Sequence, residues 1–357
     1  MDERNARAGS EMRGRVLPVR VTGCGIGFPA GGKWVSNEEV HALRFGPDWR
    51  TEMARQGADP GYYEAKLGVR RRYWVQRPGQ ENSPDALTAM DLMSAAATHA
   101  LANASMKASD MDAMICVTIT SPFYTTAVAA RLAQQLGVQA PSFDLRTGCA
   151  TGIFALVIAA QLIDGGARNV LITAGDTTSK ILDPTNNTVY AGGDAGSAIV
   201  LSRSTGKAGF LAHYIDTDGT FSAQTGVPGL LPPTRADVEA KRYYLEYRDE
   251  GKEAMLDGAW KRIPDELYAR SGLVAKDIAC YVPHQAAKRQ LALAAKEADI
   301  PEARMVNVLG EYANCGPATI FLALHRAFEE DRINSGDRYM LGAAGGGLSW
   351  GGVIMEH

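Results

Sequence analysis

The chain predicts an α/β protein with parallel strand pairing. Two observations carry this. From Leu17 onward, short apolar segments of strand length alternate with longer amphipathic segments of helical period. The second half then repeats the same order, as an internal duplication would, and no low-complexity spacer separates the halves.

The elements follow in order. Val19-Arg20-Val21-Thr22-Gly23-Cys24-Gly25-Ile26-Gly27 is the opening strand. Its glycines superficially fit a dinucleotide-binding loop, but Phe28-Pro29-Ala30-Gly31-Gly32 stands where the helix should begin, so that fingerprint is weak. A helix is expected over 85–103, a strand over 113–118 and a helix over 126–136. A strand over 142–146 then enters the turn 147–152, and the run 153–163 is too long and too rich in Ala and Leu for a strand, which makes it a buried helix. Strands at 169–174 and 197–202 close the first half. The second half reads strand 210–216, helix 258–271, strand 278–282, helix 286–298, strand 305–308, helix 318–330 and closing strands 339–342 and 350–355. The stretch 220–247, with Pro228, Pro232 and Pro233 followed by charged residues, is the least regular and reads as a surface excursion. The expected division is an N-terminal arm over 1–16, a first half over 17–205 and a second over 206–357.

Composition narrows the class. The 357 residues, 46% hydrophobic and 22% charged, describe an ordinary globular protein with room for about two domains. A net charge of −3 argues against wholesale nucleic-acid binding. The five cysteines are odd in number and lack paired CxxC spacing, which fits a reduced, cytoplasmic setting. Residues 1–15 are polar, unlike a signal peptide, and no apolar run reaches the roughly 18 residues of a membrane span.

Four positions carry candidate chemistry. Cys149, in Thr147-Gly148-Cys149-Ala150-Thr151-Gly152, lies between a strand and a helix N-terminus, where free backbone N–H groups and the dipole favour thiolate. The alternative is a buried cysteine acting as a small hydrophobe. His284, in Pro283-His284-Gln285-Ala286, ends a strand at the edge where α/β sheets bind ligands, though a structural histidine fits there too. Asn314, in Tyr312-Ala313-Asn314-Cys315-Gly316, is either a functional amide or a helix cap. Gly345-Gly346-Gly347 is either a Gly-rich hairpin or a place where a backbone N–H must face a ligand.

Together and in this order, these segments resemble the thiolase-fold condensing enzymes, and within them the β-ketoacyl-acyl-carrier-protein synthase III group, over about 19–354. Gly192-Gly193-Asp194-Ala195-Gly196, Gly345-Gly346-Gly347-Leu348-Ser349-Trp350-Gly351 and Lys66-Leu67-Gly68-Val69-Arg70-Arg71-Arg72 are similar to further family segments. The resemblance implies two duplicated βαβαβαββ halves in a five-layered αβαβα core. It makes Cys149 the acyl-accepting nucleophile, with the backbone N–H groups of Cys149 and Gly346 as oxyanion hole, and makes His284 and Asn314 donors to an enolate-like oxygen. It implies Claisen condensation of acyl thioesters on CoA or acyl carrier protein, in decarboxylative or non-decarboxylative form, with no metal or redox cofactor. A homodimer is expected.

The resemblance also locates departures. Tyr62 and Lys66 stand where a Trp and an Arg clamp the CoA adenine, Ala287 replaces an Asn, and Ala344 replaces the aromatic before the glycine triplet. Thr125 falls where an aromatic commonly closes the acyl pocket from the partner subunit, and Arg289 falls on the surface helix that meets the carrier protein. Larger voids near Cys149, a bulkier acyl group than acetyl and a role in specialised polyketide or fatty-acid-type metabolism are therefore expected. Two other readings stand beside this one. In the first, an acyltransferase passes the Cys149-bound group to an alcohol or amine. In the second, the chain is a silent subunit supporting an active homologue.

Overall fold

A computed structural model describes residues 16–205, 209–248 and 251–357. All but Val16 of the expected N-terminal arm lies outside the described residues. The first half carries β1 (Val19–Gly27), β2 (Lys33–Ser36), β3 (Arg71–Trp74), β4 (Ala113–Val117), β5 (Ser142–Leu145), β6 (Asn169–Thr177) and β7 (Asp194–Arg203). Strands β1, β7, β6, β4 and β5 form a sheet in that order, and β2 pairs with β3. The second half carries β8 (Phe210–Thr217), β9 (Thr225–Gly226), β10 (Glu246–Tyr247), β11 (Cys280–Pro283), β12 (Arg338–Gly345) and β13 (Ser349–Glu356). Its main sheet runs β11, β12, β13, β8.

Pairing is mixed, which corrects the expectation of a parallel fold. β4 is parallel to β5 and β6, and β11 to β12, whereas β7 and β13 are antiparallel to both of their neighbours. The reason is local. β12 and β13 are joined by only residues 346–348, and so short a connection permits antiparallel return alone.

Helices and sheets stack in five layers, αβαβα. Helices Ala89–Asn103 and Val128–Leu136 cover the first sheet, and Lys252–Ser271 and Lys288–Ala298 cover the second. Between the sheets lie Thr151–Asp164 and Thr319–Glu329, each packed on strands of both. That position explains why 153–163 is almost continuously apolar: a helix covered on two sides needs no polar stripe. Ile153, Leu156 and Ile163 are fully buried there, and truncating one such side chain to Ala costs about 2–5 kcal/mol.

The glycines of β1 serve packing. A methyl at Gly25 would lie 2.3 Å from Ala100 N, and one at Gly27 would lie 2.2 Å from Leu92 O, so only glycine lets the Ala89–Asn103 helix settle on the strand. This replaces the dinucleotide-loop alternative with a structural one.

Three segments depart from expectation. The strand expected over 305–308 is a single bridge between Met305 and Tyr281, and that stretch is held by Gln285 instead, as described below. Helices Asn37–Phe45, Trp49–Arg55 and Tyr62–Leu67 form a cap that the sequence pattern did not reveal. The 220–247 excursion folds back through β9 and β10, donates from Leu245 N–H to Ile181 O at 2.7 Å and packs Thr225 against Gly346. No described helix is long and apolar enough to cross a membrane.

Candidate active site

The turn after β5 is closed by its own side chains. Thr147 N–H donates to Thr151 Oγ1 at 2.9 Å, and the same hydroxyl donates to Gly148 O. Gly148 adopts φ +79°, a left-handed conformation that side chains rarely take, and a methyl there would lie 2.2 Å from Gly346 O. Cys149 follows, half-buried, directly before the cap of the Thr151–Asp164 helix. The glycine triplet packs onto it: a methyl at Gly345 would lie 2.4 Å from Cys149 Cβ and 3.1 Å from Sγ. Close packing is thus a reason for glycine at 345 beside the hairpin and ligand-facing readings, since any side chain there would displace the thiol.

Electrostatics at Cys149 differ from the sequence expectation. Burial pushes the thiol up from 9.0 to about 11, and the charge of Asp176 acts in the same direction. The backbone N–H groups of Gly346 and of Cys149 itself reach the sulfur and pull the other way. A helix N-terminus contributes typically about 0.3–1 kcal/mol, against roughly 3 kcal/mol for a rise of this size, so desolvation wins. The free residue is a thiol.

His284 follows β11, and its N–H donates to Gly342 O of β12 at 2.8 Å. It is fully buried, and neither ring nitrogen has a hydrogen-bond partner among the described residues. Burial holds it down at about 4, so the imidazole is neutral across the physiological range. Gln285 fixes the turn: its Nε2 donates to Pro283 O at 2.8 Å and Val306 O at 3.1 Å, while its Oε1 accepts from Val308 N–H at 3.1 Å.

Asn314 is presented by Ala313, whose φ of +61° is unusual for a residue with a side chain and costs of order 1–3 kcal/mol. Its N–H donates to Ala191 O at 2.9 Å, and its carbonyl accepts from Gly193 N–H at 3.0 Å. Oδ1 accepts from Gly316 N–H at 3.0 Å, which leaves Nδ2 as the donor end of the amide. The helix-cap alternative for Asn314 is met only in this local sense, since the Thr319–Glu329 helix starts five residues later.

These parts adjoin. The β12 strand that pairs with β11 ends at Gly345 against Cys149, and Gly152 of the nucleophile helix packs on Pro317 O and Ile320, which follow Asn314.

At the rim, the Tyr62–Leu67 helix packs on Lys288–Ala298, which starts after Ala287. Lys66 Nζ donates to Tyr62 Oη at 2.9 Å, so this pair is engaged with itself. Arg289 forms a two-pronged ion pair with Asp257, at 3.1 and 2.7 Å, on a half-exposed face of its helix. Thr125 is exposed. Ala344 is 2% exposed in a cluster with Trp260, Leu348 and Trp350, so it adjoins packed side chains and not the void expected there.

Comparison with known proteins settles the family. The family described as 3-oxoacyl-[acyl-carrier-protein (ACP)] synthase III matches residues 143–219, and its C-terminal counterpart matches 268–357. The β-ketoacyl-[acyl-carrier-protein] synthase III of Brucella melitensis is 33% identical over 305 residues, covering 82% of this chain and 93% of its own. The chain belongs to the β-ketoacyl-acyl-carrier-protein synthase III family. Members of this family catalyse Claisen condensation of acyl thioesters. Among solved structures, the synthase III (FabH) of Pseudomonas aeruginosa shares 28% identity at a TM-score of 0.80, covering 96% of this chain and 98% of its own. A synthase of Burkholderia xenovorans shares 26% at 0.80, covering 96% of each chain. The thiolase-like α/β fold expected from the sequence is thus the observed one.

Two residues of this synthase III site escaped sequence reasoning. Gln285 lies inside the Pro283-His284-Gln285-Ala286 segment, where no sequence feature sets it apart. Asp176 is fully buried at the end of β6, where the only signal is a carboxylate closing the apolar run 170–174.

Proposed function

We propose that Cys149 carries the acyl group and that His284 and Asn314 serve the condensation step. In the first half-reaction, Cys149 Sγ bonds to the thioester carbonyl carbon, the bond to the leaving sulfur breaks, and the thiol proton passes to the departing CoA or carrier thiolate. The tetrahedral oxyanion lies on the N–H groups of Cys149 and Gly346. Losing one such donor costs about 2.7–4 kcal/mol in comparable sites. In the second, a malonyl-type thioester loses CO2, its carbonyl oxygen gains enolate charge, and the carbanion attacks the acyl carbon and expels Cys149. A neutral imidazole N–H and the Nδ2 amide stabilise that oxygen without adding a competing charge.

The observation that carries the reading is the glycine triplet packed against Cys149 on its strand–helix turn, with a buried His284 whose ring nitrogens have no partner among the described residues. Condensation is favoured over transfer to an alcohol or amine because the partnerless His284 imidazole and the Nδ2 end of the Asn314 amide, whose Oδ1 is already engaged, supply the two donors an enolate needs. A donor larger than acetyl, delivered on CoA or an acyl carrier protein, fits Thr125. Its exposure beside Tyr124, 75% exposed, also suits a residue that completes a neighbouring subunit's pocket in a homodimer. The five free cysteines suit a cytoplasmic enzyme.

The test separates the half-reactions. His284→Ala and Asn314→Ala should retain acyl transfer to Cys149 yet lose malonyl decarboxylation by two or more orders of magnitude, on the scale of about 3 kcal/mol per lost donor. Decarboxylation that survives both substitutions, or an ester or amide product, would overturn the assignment.

A further inference from the structure

The reaction as written leaves one buried carboxyl without a task. Asp176 Oδ1 accepts four hydrogen bonds, from Ile119 N–H at 2.8 Å, Thr120 N–H at 3.0 Å, Thr118 Oγ1 at 3.0 Å and Thr120 Oγ1 at 2.8 Å. Oδ2 is buried and has no partner among the described residues. It faces Gly316, where a methyl would come within 3.1 Å, and Gly316 is the residue whose N–H fixes the Asn314 amide. The 118–120 loop leads directly into the segment that holds Thr125. One carboxyl therefore joins the acyl-pocket segment, the Asn314 loop and, through its field, Cys149. No basic side chain is hydrogen-bonded to it among the described residues, and a bare carboxylate oxygen in a dry site is costly unless it takes a proton.

We propose that Asp176 is a positioning residue for acylation. Through Oδ1 it holds the 118–120 loop, and by keeping or losing a proton on Oδ2 it sets how readily Cys149 gives up its own. The proposal rests on Cys149 being the nucleophile. The titratable groups that feel this carboxyl's charge are Cys149 and Cys315, and Cys315 also feels Asp194 of β7. Burial holds Asp176 up at about 7 against the opposing pull of its four donors. Below that pH the carboxyl is neutral and Cys149 feels burial and its backbone N–H groups without the added charge. Above it, a negative charge is added and the thiol becomes harder to ionise.

Alkylation of Cys149 by iodoacetamide, followed by peptide mass across pH 6–10, reads the thiol without any acyl donor. It can therefore fail while acylation of Cys149 holds, and the reverse. The wild-type profile should show an inflection near pH 7. Asp176→Asn, permanently neutral with an accepting oxygen retained, should abolish it and raise the rate above pH 8 by on the order of tenfold. Thr120→Val removes one hydroxyl donor from the carboxylate and should move the inflection upward. A folded Asp176→Asn protein whose profile coincides with wild type would overturn the proposal. If that variant does not fold, an unmoved inflection in Thr120→Val would do the same.

Discussion

At Cys149 two opposing effects act on one sulfur, and their magnitudes decide which wins. The helix N-terminus and two N–H groups favour thiolate, but burial and the Asp176 charge hold the thiol at about 11. Free Cys149 should therefore alkylate slowly at pH 7, and its rate should climb with pH well beyond 8. An alkylation profile that saturates below pH 8 would contradict this. Cys149 itself was legible from sequence because the strand, turn and helix around it are local features. The sign of its ionisation was not, since Asp176 lies 27 positions away along the chain and meets the thiol only after folding. Gly345→Ala tests the packing at the same scale. The added methyl would stand 2.4 Å from Cys149 Cβ, so acylation should fall by two or more orders of magnitude while the fold is retained, as read by single-turnover acylation and circular dichroism.

At the scale of elements, periodicity revealed what is long and missed what is short. The two central helices were evident because burial on two sides leaves an unbroken apolar run. The cap helices Asn37–Phe45, Trp49–Arg55 and Tyr62–Leu67 are short and polar, held by features such as the Ser36–Glu39 capping box, and offer no apolar stripe to count. Residues 305–308 have strand composition, yet Gln285 takes the backbone groups at 306 and 308 that a further ladder would have used. Replacing Gln285 by Leu leaves those groups unsatisfied at a cost of about 1–3 kcal/mol each. The expected result is a lower urea midpoint together with weakened decarboxylation, because His284 sits on the same turn. Unchanged stability in that variant would show that Gln285 does not hold the turn.

Across the whole molecule, buried groups tie stability to pH with opposite signs, Asp176 and Asp194 in one direction and His284 in the other. His284 is lowered to about 4 in the folded state, so between 4 and 6.5 the unfolded chain binds the extra proton and stability rises with pH. Asp176 is raised from 3.8 to about 7, so over that window the folded chain holds the extra proton and stability falls as pH rises. The slopes oppose each other between pH 4 and 6.5. Relative to wild type, Asp176→Asn should make the slope more positive and His284→Ala more negative, each measured by urea unfolding across that range. Identical pH dependence in both variants would refute the assignment. The duplicated halves and the order of motifs made the overall architecture legible, whereas the antiparallel return of β13 on β12 came from a connection too short to permit parallel pairing. The claim on which the account turns is that Cys149 carries the acyl group. Intact mass after incubation with acyl-CoA donors of increasing length should show one added acyl group per chain, mapped to the Cys149 peptide and absent in Cys149→Ala. An acyl group retained in that variant, or no adduct with any donor, would contradict it.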